Sequence, residues 1–311
     1  MHYFIIAGEA SGDLHGAALI EALREADSDA RFSFLGGDRM AAAAAVAPII
    51  HNRDMAFMGF SEVLRHLGKI FSNLSTTRRQ LLERRPDCLI LIDYPSFNLK
   101  VAKTASKAGI PVFYYISPKI WAWKEWRIKA IKRYVSRMFS ILPFERRFYA
   151  RHDFPIDYVG NPSVEEIDSL RPSLLPRDRF LAEHKLRDRP IVALLPGSRM
   201  GEIRCNLPVM AEAARRFPQY RPVIAGAPGI PDEVYSAICD YPVLCDSTFD
   251  LLANSRAALV TSGTATLETA LIGVPQVVVY RSNGSRLAYN IMRRLIKVDY
   301  ISLPNLIADR Q

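Results

Sequence analysis

Tyr3-Phe4-Ile5-Ile6-Ala7-Gly8-Glu9-Ala10-Ser11-Gly12-Asp13 is the stretch that sets the fold class. Five apolar and aromatic residues in succession read as a short buried strand. Two glycines with Ala10 and Ser11 then make a small-residue turn, and apolar residues at helical spacing follow from Leu14. The turn has neither the Gly-Lys-Ser/Thr of a phosphate-binding loop nor the Gly-x-Gly-x-x-Gly spacing of a dinucleotide fingerprint. It lets a polar ligand approach a helix N-terminus, and it serves equally well as a plain tight turn.

The same unit repeats outward from this point. Apolar runs at 32–35, 88–92, 112–116 and 138–142 are separated by stretches with helical periodicity, which argues for a parallel sheet covered by helices on both faces. From 160 to 190, Pro162, Pro172, Pro176 and Pro190 with many charges read as a connection between domains. Strand candidates then resume at 191–195, 222–225, 258–261 and 276–280. The expectation is an α/β chain of two Rossmann-like domains, 1–163 and 164–311. Their strand ends should face each other across a cleft that holds the ligands.

Composition excludes several classes. The 311 residues are 49% hydrophobic, enough for two cores and too apolar for a disordered chain. The longest apolar run, 41–50, is too short to span a bilayer and reads as a helix end entering a strand. The N-terminus lacks the pattern of a secretory leader, so a cytoplasmic location is expected. Cys88, Cys205, Cys239 and Cys245 are scattered, and the six histidines form no ligand motif. No metal and no cofactor are expected. The net charge of +9 is unevenly placed: between Arg65 and Arg151, 19 Lys and Arg against 5 Asp and Glu give about +14, and the rest of the chain is net acidic. Such a segment favours a phosphorylated substrate, an anionic membrane or nucleic acid, and equally describes solvated helix faces. The absence of a helix-turn-helix, RRM or zinc module argues against nucleic acid.

Four further segments carry chemistry. Pro196-Gly197-Ser198-Arg199-Met200-Gly201-Glu202 follows a strand; Arg199 there either pairs with diphosphate oxygens or caps a neighbouring carbonyl. Ser262-Gly263-Thr264-Ala265-Thr266-Leu267-Glu268 opens a helix with hydroxyls and a glycine, a phosphate-binding arrangement in which Glu268 either accepts from ribose hydroxyls or simply stabilises the helix. Asp93 ends an apolar strand, where a carboxylate is rare without a task, although it also suits a helix cap. Trp121, Trp123 and Trp126 lie among lysines, able to hold sugar faces or acyl chains or to pack in the core. Asp27-Ser28-Asp29 matches a short cation-binding pattern of sugar-nucleotide enzymes, but lies away from the expected cleft and reads as a loop.

In order and spacing, several motifs together resemble the lipid-A-disaccharide synthases, glycosyltransferases of the two-domain GT-B type. They are Gly8-Glu9-Ala10-Ser11-Gly12-Asp13, Met58-Gly59-Phe60, Ile92-Asp93-Tyr94-Pro95-Ser96-Phe97-Asn98, Ser117-Pro118-Lys119-Ile120-Trp121-Ala122-Trp123, Leu195-Pro196-Gly197-Ser198-Arg199, Ser262-Gly263-Thr264 and Ser302-Leu303-Pro304-Asn305. The resemblance implies UDP-2,3-diacylglucosamine as donor, 2,3-diacylglucosamine 1-phosphate as acceptor and a β-(1→6) link. It implies Asp93 as catalytic base and Glu9, Ser11, Asp13, Asn98, Trp121 and Asn305 as substrate-binding residues. UDP falls to Gly197, Ser198, Arg199, Glu202, Ser262, Gly263, Thr264 and Glu268.

Phe60, Val63, Leu64, Leu67, Ile70, Phe71 and Leu74 recur at helical spacing, with Arg65, His66 and Lys69 between them. Pattern alone makes this a core stripe. The acylated substrates implied by the resemblance make it instead an exposed patch, with Phe60, Leu64, Leu67 and Phe71 docking on the cytoplasmic leaflet of the inner membrane. Asn161 stands where the family often has histidine and takes no role. The chain stops at Gln311, where family members continue, so the C-terminal domain is expected to be incomplete. A homodimer is possible, but dimerisation through that tail, and activity with it, are put in doubt. Two other readings share the nucleotide site: a UDP-sugar epimerase, and a nucleotide-sugar or anionic-lipid binding protein.

Overall fold

The computed structural model describes residues 1–55, 66–281, 300 and 302–310. The chain forms two compact units, Met1–Gly160 and Asn161–Gln311.

In the first unit the order is β1 (His2–Ala7), α1 (Ala10–Ala26), β2 (Arg31–Gly36), α2 (Asp38–Ala44), β3 (Ile50–His51), α3 (Leu67–Arg84), β4 (Cys88–Ile92), α4 (Pro95–Lys107), β5 (Val112–Tyr115), α5 (Ile128–Tyr134), β6 (Arg137–Ser140), α6 (Glu145–Ala150) and β7 (Asp157–Tyr158). The sheet runs β3-β2-β1-β4-β5-β6-β7, every pair parallel. Strand alternation supplies two cores from one sheet. Phe4, Ile6, Leu89 and Leu91 face α3 and α4 residues such as Leu81 and Val101, while Tyr3, Ile5, Cys88 and Ile90 face Ile20 and Met40. Chain order reverses between β1 and β4, so the loops after Ala7 and Ile92, paired in register, leave the sheet side by side. Open α/β sheets bind ligands at such a switch point.

The second unit follows the same plan: α7 (Pro162–Leu170), α8 (Arg177–Glu183), β8 (Ile191–Leu195), α9 (Met200–Arg215), β9 (Arg221–Gly226), α10 (Glu233–Ser236), β10 (Val243–Cys245), α11 (Thr248–Ala253), β11 (Ser255–Thr261), α12 (Thr264–Ile272), β12 (Gln276–Val279) and α13 (Leu303–Ala308). Its parallel sheet runs β10-β9-β8-β11-β12, and its switch point lies between β8 and β11.

The stretch from 160 to 190 is not a bare connection. Pro162 opens α7, where its missing N–H costs nothing, and Asn161 Oδ1 caps that helix by accepting from Ser163 N at 3.0 Å. Pro176 stands at the N-cap of α8, whose Phe180 and Leu181 join the second unit's core. Pro162 and Pro176 thus mark helix starts, and Pro190 directly precedes β8. Strands β3, β7 and β10, of two or three residues each, are too short to show periodicity and escape the sequence reading. Among the described residues no helix is long and apolar enough to cross a membrane.

Candidate functional site

At the switch point of the first unit, β4 ends in an unusual turn. Asp93 and Tyr94 both hold left-handed backbone, with φ of 40° and 47°. Non-glycine residues in that region cost of order 1 kcal/mol or more each, so the surroundings must hold them there. Asn98, fully buried, donates from Nδ2 to the carbonyls of Asp93 at 2.7 Å and Ile92 at 3.2 Å, and the Tyr114 hydroxyl donates to the Asp93 carbonyl at 2.6 Å. Tyr94 lies across Gly8, where a Cβ would meet its ring at 2.5 Å, and its hydroxyl donates to the Met55 carbonyl at 2.8 Å. Glycine at position 8 is therefore required by the ring that locks the Asp93 turn. Burial pushes the Asp93 carboxyl above the ordinary carboxylate range, against the pull of Lys119.

Asp93 and Glu9 line a cavity of about 630 Å³. Leu67, Ile70, Phe71 and Leu74 of α3 form an apolar wall, and Lys100, Lys119, Lys124 and Arg127 supply cations. Leu67 and Phe71 are 39% and 60% exposed. Phe60 and Leu64, with the Met58-Gly59-Phe60 motif, lie outside the described residues.

Several residues expected at the substrate stand elsewhere. Asp13 is buried and accepts from the amides of Gly37 at 2.6 Å, Arg39 at 3.1 Å and Met40 at 3.2 Å, so its carboxylate caps α2 and does not line the cavity. Ser11 is exposed on α1 and is also outside the lining. Asn98 shapes the Asp93 turn from beneath. Trp121 donates its indole N–H to Glu145 Oε1 at 2.9 Å and packs edge-on against Phe144, while Trp123 takes the place at the cavity wall. Asn305 bonds to the two ends flanking its own helix, donating from its backbone N to Ser302 Oγ and from Nδ2 to the Arg310 carbonyl. Sequence reasoning missed Glu145, a carboxyl 1% exposed whose pKa burial lifts to about 7, opposed by bonds from Trp121 and Leu142. An acid between Leu142-Pro143-Phe144 and Phe148-Tyr149 was the signal available.

The switch point of the second unit opens on a cavity of about 440 Å³. Gly197, Ser198, Arg199, Glu202, Ser262, Gly263, Thr264 and Glu268 all line it. Gly197 has φ 118°, and a Cβ there would meet Glu202 Oε2 at 2.6 Å. That closeness lets Glu202 accept from Ser198 N at 3.1 Å and from Arg199 Nη1 at 3.4 Å. Glu202 thus organises the loop and orients Arg199 rather than presenting a bare acid. The N-cap residues of α9 and α12, Arg199 and Gly263, make no side-chain capping bond, and a helix start of this kind suits an anion. Buried Asn206 of α9 donates to Thr261 Oγ1 at 3.0 Å and to the Pro196 carbonyl at 3.4 Å, tying the loop after β8 to the end of β11. Glu268 has its pKa raised by burial and then by Glu166, so ligand hydroxyls donating to it would relieve a disfavoured charge.

The model of the lipid-A-disaccharide synthetase family matches residues 3–311. The chain belongs to that family. Lipid-A-disaccharide synthases of Acidobacterium capsulatum and Myxococcus xanthus are each 42% identical to it, the matches covering 99% of this chain and 80% and 81% of theirs. That of Geobacter sulfurreducens is 40% identical over 98% of this chain and 80% of its own.

Family membership agrees with a fold shared more widely. UDP-GlcNAc 2-epimerase from Neisseria meningitidis, solved with UDP-GlcNAc, superposes with a TM-score of 0.64 over 99% of this chain and 90% of its own, at 14% identity. The Methanocaldococcus jannaschii epimerase, solved with UDP-GlcNAc and UDP, gives 0.61 over 100% and 94%, also at 14%. At that identity the likeness shows the two-sheet GT-B architecture alone. The lipid-A-disaccharide synthetase assignment rests on sequence, and the epimerase reading loses its support. Among the described residues no group of three or more His, Cys, Asp and Glu is arranged to hold a metal. Asp27 of the Asp-x-Asp pattern instead accepts from the terminal amine at 2.6 Å and from Asp29 N at 3.1 Å.

Proposed function

We propose that this glycosyltransferase of lipid A biosynthesis joins UDP-2,3-diacylglucosamine to 2,3-diacylglucosamine 1-phosphate by a single inverting displacement. The acceptor's 6-hydroxyl oxygen forms the new bond to the donor's anomeric carbon while the bond from that carbon to the diphosphate breaks. Asp93 takes the hydroxyl proton, and the bonding pair leaves with UDP. A carboxylate whose pKa has been raised is a better proton acceptor than a solvated one, provided it is ionised at the working pH. The observation that carries this reading is the Asp93 turn, strained and fixed by Asn98 and Tyr114 at the rim of a cavity with an apolar wall.

UDP falls to the second unit's cavity, with Arg199 and the α12 N-terminus at the diphosphate and Glu268 at the ribose. Cationic and amide donors there stabilise the charge developing on the leaving group without a metal ion. Exposed Leu67 and Phe71 support peripheral docking on the cytoplasmic leaflet of the inner membrane, from which both acylated substrates must be drawn. Thin-layer chromatography of products from the two lipids tests the reading: a disaccharide 1-phosphate from the wild type and none from Asp93→Asn is expected. A wild type that released UDP without joining the sugars would overturn it.

A further inference from the structure

Four cations line the Asp93 cavity, and the transfer chemistry above uses none of them. Lys100 comes from α4, Lys119 and Lys124 from the segment after β5, and Arg127 from the turn entering α5. Glu9 and Asp93 are the carboxylates that share the lining. Among the described residues, no carboxylate stands within salt-bridge distance of any of the four.

Arg127 is the most telling. It is only 8% exposed, and its Nη2 donates to Ser96 Oγ at 2.7 Å, a neutral partner. A guanidinium withdrawn from water without a counter-charge is costly, and such sites persist where an anion completes them. Lys124 lies close by, its ammonium 3.9 Å from the centre of the Trp123 ring, and its basicity is lowered by burial and then by Arg127. Two neighbouring cations that repel each other suit a dianion.

We infer that Lys124 and Arg127, backed by Lys119 and Lys100, form a phosphate-monoester subsite that takes the anomeric phosphate of the acceptor. The inference rests on the acceptor proposed above. In a glucosamine 1-phosphate the phosphate and the 6-hydroxymethyl group sit on the two carbons flanking the ring oxygen. A cavity that holds the phosphate at one edge therefore presents the 6-hydroxyl nearby, where Asp93 lies. The acyl chains then meet the wall formed by Leu67, Ile70, Phe71 and Leu74.

The test is equilibrium binding by the full chain, without donor. The probes are short-chain 2,3-diacylglucosamine 1-phosphate, the same molecule lacking phosphate, UDP, and vesicles containing phosphatidylglycerol. The wild type should prefer the phosphorylated ligand by about tenfold or more. Lys124→Met should erase most of that preference and leave the affinities for UDP and the phosphate-free ligand unchanged. Arg127→Lys, which keeps the charge but changes the donor geometry, should weaken it less. A preference retained in both variants overturns the subsite, as does an equal loss for both sugar ligands. Loss confined to the vesicles assigns the cations to membrane headgroups and overturns it too. A wild type that shows the preference but makes no disaccharide defeats the transfer reading and leaves the subsite standing.

Discussion

The two cavities sit at equivalent places in two similar sheets and are built from different materials. In the second unit the lining is largely glycines, hydroxyls and helix starts, with Arg199 62% exposed and held by Glu202. In the first unit it is side chains: a displaced carboxyl, an apolar wall and four cations. A site made largely of main-chain donors binds a constant group such as a nucleotide diphosphate, and its side-chain dependence is concentrated in Arg199. A site made of side chains changes ionisation and shape with single substitutions. The first cavity should therefore govern rate and acceptor choice, and the second should govern nucleotide affinity.

The sharpest way to break that division is Asp93→Asn. Shape and much hydrogen bonding survive, but basicity is lost, so kcat should fall by roughly 10²–10⁴ with UDP affinity nearly unchanged. Near wild-type turnover would move the base elsewhere, with Glu9 the other carboxylate in the lining. In the wild type the acid limb of kcat/KM should lie above the ordinary aspartate range, activity falling as pH drops through the raised Asp93 pKa. Removing the opposing charge in Lys119→Met should move that limb to still higher pH.

Behind the first cavity, buried Glu145 gives a stability signature. Its folded pKa of about 7 exceeds the ordinary glutamate value of 4.5, so the folded state favours the protonated form. That advantage is complete below pH 4.5 and is lost as pH rises through about 7. Urea unfolding at pH 5 and pH 8 should show the wild type weakening. Glu145→Gln, which cannot ionise, should gain on it by on the order of 3 kcal/mol across that interval. A constant difference between the two proteins would mean that Glu145 does not titrate in the folded state.

In the second cavity Arg199→Ala should weaken UDP binding by roughly 10- to 100-fold, the range for a charged hydrogen-bonding partner of phosphate. EDTA should change neither protein's affinity. Calorimetry with UDP reads both effects, and unchanged affinity in the variant would leave the diphosphate to the amides of α9 and α12.

Legibility in the sequence follows the same divide. The second-unit residues lie in two short turns that each follow an apolar strand, and strand order brings those turns together at the switch point. Local pattern was enough to bring them to one cavity. The first-unit residues depend on contacts that no spacing reveals. Asp13 faces the same loop region as Glu9, yet amides more than twenty residues on claim its carboxylate. Trp121 and Trp123 are two residues apart, and only the position of Glu145 decides which one turns away from the cavity. Arg127 looked like one charge of a basic run, and only its burial separates it from the solvated others.

The α3 stripe gives the smallest and most delicate expectation, because its residues serve two ends. Leu74 is buried in the core, Ile70 is half-buried, and Leu67 and Phe71 are exposed, so burial fades along one face of the helix toward its N-terminus. Pattern alone could not separate core from surface here, since both demand apolar residues at the same period. The exposed pair adjoins the cavity and lies beside Lys100, whose ammonium is 5.9 Å from the centre of the Phe71 ring. An apolar tip flanked by cations suits an anionic leaflet, where both hydrophobic insertion and charge contribute. Leu67→Glu with Phe71→Glu removes the insertion and adds two negative charges while the core positions stay intact. Co-sedimentation with phosphatidylglycerol vesicles should fall by about three- to tenfold, with UDP affinity unchanged. Lys100→Met should produce a smaller loss that disappears at high salt. Unchanged sedimentation of the double variant would confine the exposed pair to acyl chains already inside the cavity, and turnover with short-chain soluble substrates would then fall as steeply as with membrane-bound ones.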